Sequence, residues 1–140
     1  MFIKQLSIFV ENNAGSIQNI VDTLSENGIN IRALSLADTT DFGILRLIVD
    51  DYQKARELLR ENGIISKVTD VIAVYIDDRA GGLSTVLKSV SAEGIGIEYM
   101  YAFLGRTTGK ALMVLRADDE PAAAKALEKA GIEIANSSDL

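Results

Sequence analysis

Hydrophobic and polar residues follow the same pattern twice along this chain. In the first half, residues 3–10 alternate with a period of two, which predicts a strand with one covered face. The apolar residues from Ile17 to Leu24 then recur at steps of three and four, which predicts a helix with one core-facing stripe. Gly28 ends this helix, because the position after a last helical turn often needs a positive φ.

Three further strands and a second helix complete the first half. The further predicted strands are residues 29–37, 43–49 and 64–68. The first two flank a short polar turn and form a hairpin. The second helix runs through Leu59, and Asp50 or Asp51 caps it because a side-chain oxygen satisfies amides that lack helical partners. The first half therefore has the order βαββαβ.

The second half repeats this order. Gly28-Ile29-Asn30-Ile31 aligns with Gly94-Ile95-Gly96-Ile97 at an offset of 66, and after the hairpin Asp50-Asp51 aligns with Asp118-Asp119 at an offset of 68. The predicted strands here are residues 71–77, 96–105, 110–117 and 132–136, and the predicted helices are residues 82–93 and 120–130. Loop glycines, helix stripes and paired acids that match in the same order indicate a tandem duplication.

The duplication predicts an α+β fold built from two similar units. We assign residues 1–69 and 70–140 to these units. Because each unit has two amphipathic helices separated by strands, we expect antiparallel sheets that carry their helices on one face.

Composition restricts the chemistry. The chain has 140 residues and a formal net charge of −6, which argues against nucleic acid and anionic membranes as partners. It has no apolar run long enough to cross a bilayer and no secretory pattern at its start, so we expect a cytoplasmic protein. It also has neither His nor Cys, the commonest general base and the best nucleophile. We therefore expect a binding protein and not an enzyme, with no cofactor and no metal site.

Paired acids recur at the turns between strands and helices. They are Asp50, Asp51, Asp77, Asp78, Asp118 and Asp119. Because these positions precede helices, we interpret the acids as capping residues and not as metal ligands.

The arrangement resembles the ACT domain. The resemblance is carried by the glycine in the first strand–helix loop, by the segment Gly28–Asp38 with its Gly-Ile-Asn-Ile start, and by Ile97–Phe103 in the second half. It covers nearly the whole chain, twice, and is similar to stand-alone tandem ACT proteins that have no catalytic domain. The resemblance implies two ferredoxin-like units and a regulatory module that binds an amino acid or a similar small effector.

The resemblance also implies a ligand site in the first half. In serine-binding ACT domains one asparagine lies three positions before the loop glycine and another lies near the second strand, and Asn12 and Asn30 match these positions. An amide can both donate to a carboxylate and accept from an ammonium group. The following helix start favours a carboxylate. The candidate ligand residues are Asn12, Asn13, Ala14, Gly15, Ser16, Asn30 and Ile31. Ala14 replaces a common proline and Val10 replaces a histidine of some members, which puts serine specificity in doubt.

The second half keeps the loop glycine but has neither amide, since Asp78 and Gly96 occupy the two positions. A second candidate site consists of Asp78, Arg79, Ala80, Gly81 and Gly82. Because an acid repels a ligand carboxylate, we expect either one strong site in the first unit or a composite site between units.

Three functions are compatible with these features. The favoured one is a non-catalytic module that binds an amino acid at domain or subunit interfaces, as a homodimer. The alternative is a scaffold subunit that docks onto a separate amino-acid biosynthetic enzyme without its own ligand, using exposed strands or the aromatic segment 99–103. A catalytic function is the least favoured. Asn12 and Asn30 also have a simpler interpretation as turn and cap residues.

Overall fold

The computed structural model describes residues 2–11, 13–38, 41–105 and 109–140. Its strands are β1 (Ile3–Glu11), β2 (Ile31–Asp38), β3 (Phe42–Val49), β4 (Ser66–Asp77), β5 (Ile97–Ala102) and β6 (Lys110–Ala117). Its helices are α1 (Ser16–Glu26), α2 (Tyr52–Glu61), α3 (Gly82–Ser91) and α4 (Glu120–Lys129), and a 3₁₀ turn spans Ser137–Asp139. The α+β class and the twofold repeat of βαββαβ order are confirmed.

Contacts divide the chain into two compact units. The first unit is Lys4–Thr69, and the second is Asp70–Leu140 together with Phe2 and Ile3. The predicted ranges 1–69 and 70–140 differ from these units only at the amino terminus. That these ranges are separate domains stays a prediction.

In the first unit, β3 lies between β2 and β1, and both pairings are antiparallel. Leu6, Ile8 and Val10 of β1 pack into one buried cluster with residues of α1 and α2. Because side chains alternate along a strand, the intervening residues of β1 lie on the sheet face away from the helices. Both helices therefore cover the same face of the sheet.

The second unit is built in the same way. β6 lies between β4 and β5, again in antiparallel pairings. Ile72, Val74 and Ile76 of β4 pack into a buried cluster with residues of α3 and α4. The equivalent strand positions of the two repeats thus face equivalent helices.

Several predicted strand boundaries were wrong, and the strand expected at 96–105 ends at Ala102. The strands expected at 64–68 and 71–77 form the single strand β4, because no glycine or proline interrupts the intervening residues. The strand expected at 132–136 is reduced to one bridge between Ile134 and Val74. It ends early because Asn136 forms a capping box with Asp139 that turns the chain into the 3₁₀ turn.

The four helices begin in two different ways. Asp51 accepts a hydrogen bond from the Lys54 N–H, and Asp119 accepts one from the Ala122 N–H, both at 3.1 Å. These bonds confirm the capping role of Asp51 and Asp119. The capping role expected of Asp77 and Asp78 was wrong, because α3 begins after Gly81 and has no side-chain cap. In contrast, α1 and α3 follow Gly15 and Gly81, which have φ values of +89° and +87°. Glycine adopts this conformation without strain, and it has no side chain to cap the helix.

Candidate functional site

The β1–α1 loop is held by a short chain of side-chain hydrogen bonds. Asn13 donates through Nδ2 to Oε2 of Glu11 at 3.0 Å, and Ser16 Oγ donates to Oδ1 of Asn13. Both groups of the Asn13 amide are therefore used within the loop. Glu11 receives a neutral donor here, so this bond does not neutralise its negative charge. Asn12, the first residue expected to bind the ligand, lies outside the described residues.

A pocket of about 230 Å³ lies between this loop and the β2–β3 end of the first unit. Its lining residues are Val10, Glu11, Asn13, Ile17, Leu36, Ala37, Asp38 and Gly43. The pairing of Asp38 with Gly43, and of Glu11 with Phe42, brings the ends of the three strands together at this point. The pocket therefore combines apolar walls with two exposed carboxylates and one amide.

Ala14, Gly15 and Ser16 occupy the entrance to α1. Ala14 and Gly15 are exposed, and the Gly15 carbonyl accepts the Asn19 N–H at 2.9 Å as the first helical bond. A Cβ on Gly15 would meet no atom within 4 Å, so its positive φ, and not close packing, requires glycine. The start of α1 thus presents backbone N–H groups near the pocket.

The structure does not bring Asn30 and Ile31 to this loop within the unit. They lie at the opposite end of β2, and eight strand residues span roughly 23 Å. The Asn30 N–H donates to Asp50 Oδ1 at 3.1 Å, and Ile31 packs against the core. The second repeat has the same bond, from the Gly96 N–H to Asp118 Oδ2 at 3.1 Å. This backbone role is structural and needs no amide side chain.

The loop of the second unit has the same course but different chemistry. Asp77 is the equivalent of Glu11, and Arg79 is the equivalent of Asn13. Arg79 forms an ion pair with Asp77, with 3.5 Å between Nε and Oδ2. The Asp78 N–H donates to the Gly109 carbonyl at 3.1 Å, and Ala80 is exposed. The acid of this loop therefore already has a cationic partner.

Close packing also distinguishes the loop of the second unit from the loop of the first. A Cβ on Gly82 would lie 2.0 Å from the Asp77 carbonyl oxygen, which leaves no room for a side chain. Its equivalent in the first unit is Ser16, whose hydroxyl takes part in the loop's hydrogen bonds. The candidate second site at residues 78–82 is thus a tighter and more internally bonded loop.

A buried carboxylate lies in the second unit, outside the residues of its loop. Glu120 is 7% exposed, and its Oε1 accepts from Arg116 Nη1 at 3.2 Å. Its Oε2 is buried and has no hydrogen-bond partner among the described residues. Burial raises the pKa of Glu120 from 4.5 to about 6, although Arg116 acts in the opposite direction. Because the pocket residues are elsewhere, we treat this group as part of the packing of α4.

The described part of the chain lacks the features of a metal site and of a membrane-spanning helix. Within it, no three acidic side chains are grouped closely enough to hold a metal ion. None of its helices is long and apolar enough to cross a bilayer.

Several lining residues escaped the sequence reasoning. Glu11, Asp38 and Leu36 were not predicted to bind a ligand, although they line the pocket with Asn13. Their proximity depends on the strand register, which the repeat alone does not specify. The sequence contained one signal for Glu11, which is an acid at the last position of a strand, next to a glycine loop.

Comparison with known families identifies one match over the whole chain. The family model described as an ACT domain pair matches residues 1–140. The acetolactate synthase small subunit of Buchnera aphidicola subsp. Baizongia pistaciae (strain Bp) is 28% identical over 69 residues, which cover 49% of this chain and 43% of that protein. The chain therefore spans less than half the length of the curated relative that it matches.

Solved structures show the same arrangement. A protein from Bacteroides thetaiotaomicron is 37% identical, with a TM-score of 0.92 over 99% of this chain and 95% of that one. The regulatory subunits of aspartate kinase from Thermus thermophilus, in its ligand-free form, and from Thermus flavus are both 19% identical. Their TM-scores are 0.65 and 0.61, and the matches cover 91% of this chain and 91% and 92% of theirs. At that identity the aspartate kinase subunits show a shared fold.

Proposed function

We propose a regulatory function from the premise that this chain belongs to the ACT domain pair family. In this proposal the chain is a non-catalytic module, without a cofactor, that binds an amino acid in the cytoplasm. Two of the similar structures are regulatory subunits of aspartate kinase, and the similar small subunit is that of acetolactate synthase. Those names support regulation of amino-acid metabolism as the setting.

The observation that carries the proposal is the pocket beside the β1–α1 loop. Its volume of about 230 Å³ suits a ligand of amino-acid size better than a nucleotide or a larger cofactor. Val10, Ile17 and Leu36 supply apolar walls, which would enclose an aliphatic or aromatic side chain.

The polar groups of the pocket favour a zwitterion. The carboxylates of Glu11 and Asp38 favour an ammonium group, since opposite charges attract. The start of α1 offers backbone N–H groups and the positive end of the helix dipole to a carboxylate. An α-amino acid carries both groups one carbon apart, whereas a simple anion would be repelled by the two acids.

Asn30 cannot contact a ligand in the pocket of its own unit. Its exposed position at the far end of β2 prevents it from touching a ligand bound beside Asn13 in the same unit. If Asn30 contacts the ligand, it does so across an interface with another copy of the chain.

The direct test is a melting-temperature screen of the full chain against the twenty amino acids. We expect at least one to raise the melting temperature, because a ligand that binds only the folded state stabilises it. Glu11→Gln should weaken the binding of that amino acid by about tenfold, since it removes a charge beside the ammonium group. Glu26→Gln, at an exposed position at the end of α1, is the matched control. No shift with any amino acid at millimolar concentration would contradict the proposal.

A second candidate function is a scaffold subunit that docks onto an amino-acid biosynthetic enzyme without its own ligand. The observation that favours it is a pair of aromatic rings on β5. Tyr99 and Tyr101 stack with their ring centroids 6.4 Å apart, on the face opposite the helices. Tyr101 is buried and Tyr99 is partly exposed, so Tyr99 is the ring that a partner would contact. Co-purification with such an enzyme, its loss on Tyr99→Asp, and no response to amino acids would favour this function over the first.

A further inference from the structure

One end of the first unit exposes three large apolar side chains. Phe9 of β1 is 76% exposed, Phe42 of β3 is 50% exposed, and Ile65, directly before β4, is 87% exposed. Phe9 pairs with Ile44 and Glu11 pairs with Phe42, so Phe9 and Phe42 are diagonal neighbours on one sheet face. Ile65 and Phe9 line the same groove. We call these three residues the apolar patch.

The patch points away from the core of its own unit. The strand neighbours of Phe9, Ile8 and Val10, are buried beneath the helices, so alternation places Phe9 on the opposite face. Folding of the isolated chain therefore leaves this apolar surface in water, at a cost that a docked surface would remove.

The second repeat shows what the same positions look like without such a patch. The equivalents of Phe9, Phe42 and Ile65 are Tyr75, Lys110 and Glu133. Lys110 and Glu133 form an ion pair, with 3.2 Å between Nζ and Oε2. The fold therefore accepts polar side chains at this end, so packing within the unit does not explain the apolar residues of the first repeat.

We propose that the apolar patch is the interface between two copies of this chain. The proposal does not rest on the binding of an amino acid. It names a surface that the family membership does not provide, and its occupant is a second copy of the same patch.

The area of the patch is consistent with a small homodimer. A large side chain that is fully exposed contributes about 200 Å², so the patch offers roughly 400 Å² per copy and roughly 800 Å² per pair. Homodimer interfaces are about 65% apolar, so a pair would bury roughly 1,200 Å² in total. That total is near the lower end for a specific interface, and it predicts a dimer that dissociates on dilution.

The charges beside the patch are self-complementary. Glu11 and Asp41 lie on one side, next to Phe42, and Lys67 lies two residues after Ile65 on the other. A two-fold axis that runs across the patch, at right angles to the line from Phe42 to Ile65, would place the acidic side of each copy against the basic side of its partner. The opposite orientation would place acids against acids, so the charges select one arrangement.

The presence of one patch per chain also fits a closed dimer. An isologous contact uses the same surface on both copies and stops at two. A second patch at Tyr75, Lys110 and Glu133 would allow chains of molecules to grow. The ion pair at that position prevents such growth.

The test transfers the polar pair of the second repeat onto the first. Sedimentation velocity over a range of concentrations should show a dimer for the unaltered full chain. The double variant Phe42→Lys/Ile65→Glu should raise the dissociation constant about a hundredfold. Its circular dichroism should be unchanged, because Lys110 and Glu133 already occupy these positions in the second repeat. Leu83→Glu, at an exposed position on α3, is the matched control and should leave the dimer intact.

A charge reversal tests the orientation. Asp41→Lys and Lys67→Glu should each weaken the dimer, and the double reversal should restore it. A chain that stays monomeric at millimolar concentration would overturn the proposal. So would a dimer that the Phe42→Lys/Ile65→Glu variant leaves unchanged.

Discussion

Glu120 shows how one buried side chain can make the fold sensitive to pH. The Arg116 guanidinium contacts Glu120 and also lies 3.3 Å from Glu98, so Glu120 shares its cationic partner. Arg116 also donates to the Asp70 carbonyl at 2.9 Å. This shared pairing does not offset the cost of removing the Glu120 carboxylate from water, and its pKa rises to about 6.

The raised pKa predicts a pH-dependent loss of stability. Because the folded state binds the proton more tightly, the contribution of Glu120 is fully present below pH 4.5 and is lost as the pH rises through about 6. The difference between a pKa of 4.5 and one of about 6 corresponds to about 2 kcal/mol. Urea unfolding of the unaltered chain and of Glu120→Gln should therefore differ in pH dependence by this amount between pH 4 and pH 7.5.

The control is Glu128→Gln, at an exposed position on the same helix. It should show the same pH dependence of the free energy of unfolding as the unaltered chain. Parallel pH profiles for Glu120→Gln and Glu128→Gln would contradict the assignment of this effect to burial of Glu120.

At the scale of elements, the sequence specified the helices better than the strand ends. Amphipathic stripes, loop glycines and paired acids located all four helices, because these signals are local. The fusion of two predicted strands into β4 and the shortening of residues 132–136 depend on partners distant in the sequence. The pocket was missed for the same reason, since Asp38 and Leu36 reach the Asn13 loop only through the strand register.

The duplicated caps predict equal energetic effects in the two repeats. Asp51→Ala and Asp119→Ala each remove a 3.1 Å hydrogen bond to a backbone N–H in a first helical turn. Each should lower the free energy of unfolding by about 1 kcal/mol in urea titrations. Ser16→Ala is the comparison at α1, which follows Gly15 and has no side-chain cap. It should lower the free energy of unfolding by less. Unequal effects of Asp51→Ala and Asp119→Ala would show that the repeats are not energetically equivalent.

At the scale of the whole molecule, the two repeats share an architecture and differ in chemistry. In the first loop Glu11 accepts a hydrogen bond from the neutral Asn13, whereas in the second Asp77 pairs with Arg79. The second pocket acid of the first unit, Asp38, corresponds to Leu104. An ammonium group would therefore meet two carboxylates in the first unit, whereas in the second unit Arg79 already pairs with Asp77.

This asymmetry predicts one bound amino acid per chain. Isothermal titration calorimetry, with the amino acid found in the melting-temperature screen, should give a stoichiometry of one. Asn13→Ala should weaken binding by about tenfold, because it removes the hydrogen bonds that hold Glu11 and Ser16 in place. Arg79→Ala should leave the first site unchanged and is the matched control in the second loop. If Arg79→Ala creates a second binding event, the pairing of Arg79 with Asp77 is what prevents the second loop from binding an amino acid. A stoichiometry of two in the unaltered chain would instead show that both loops bind.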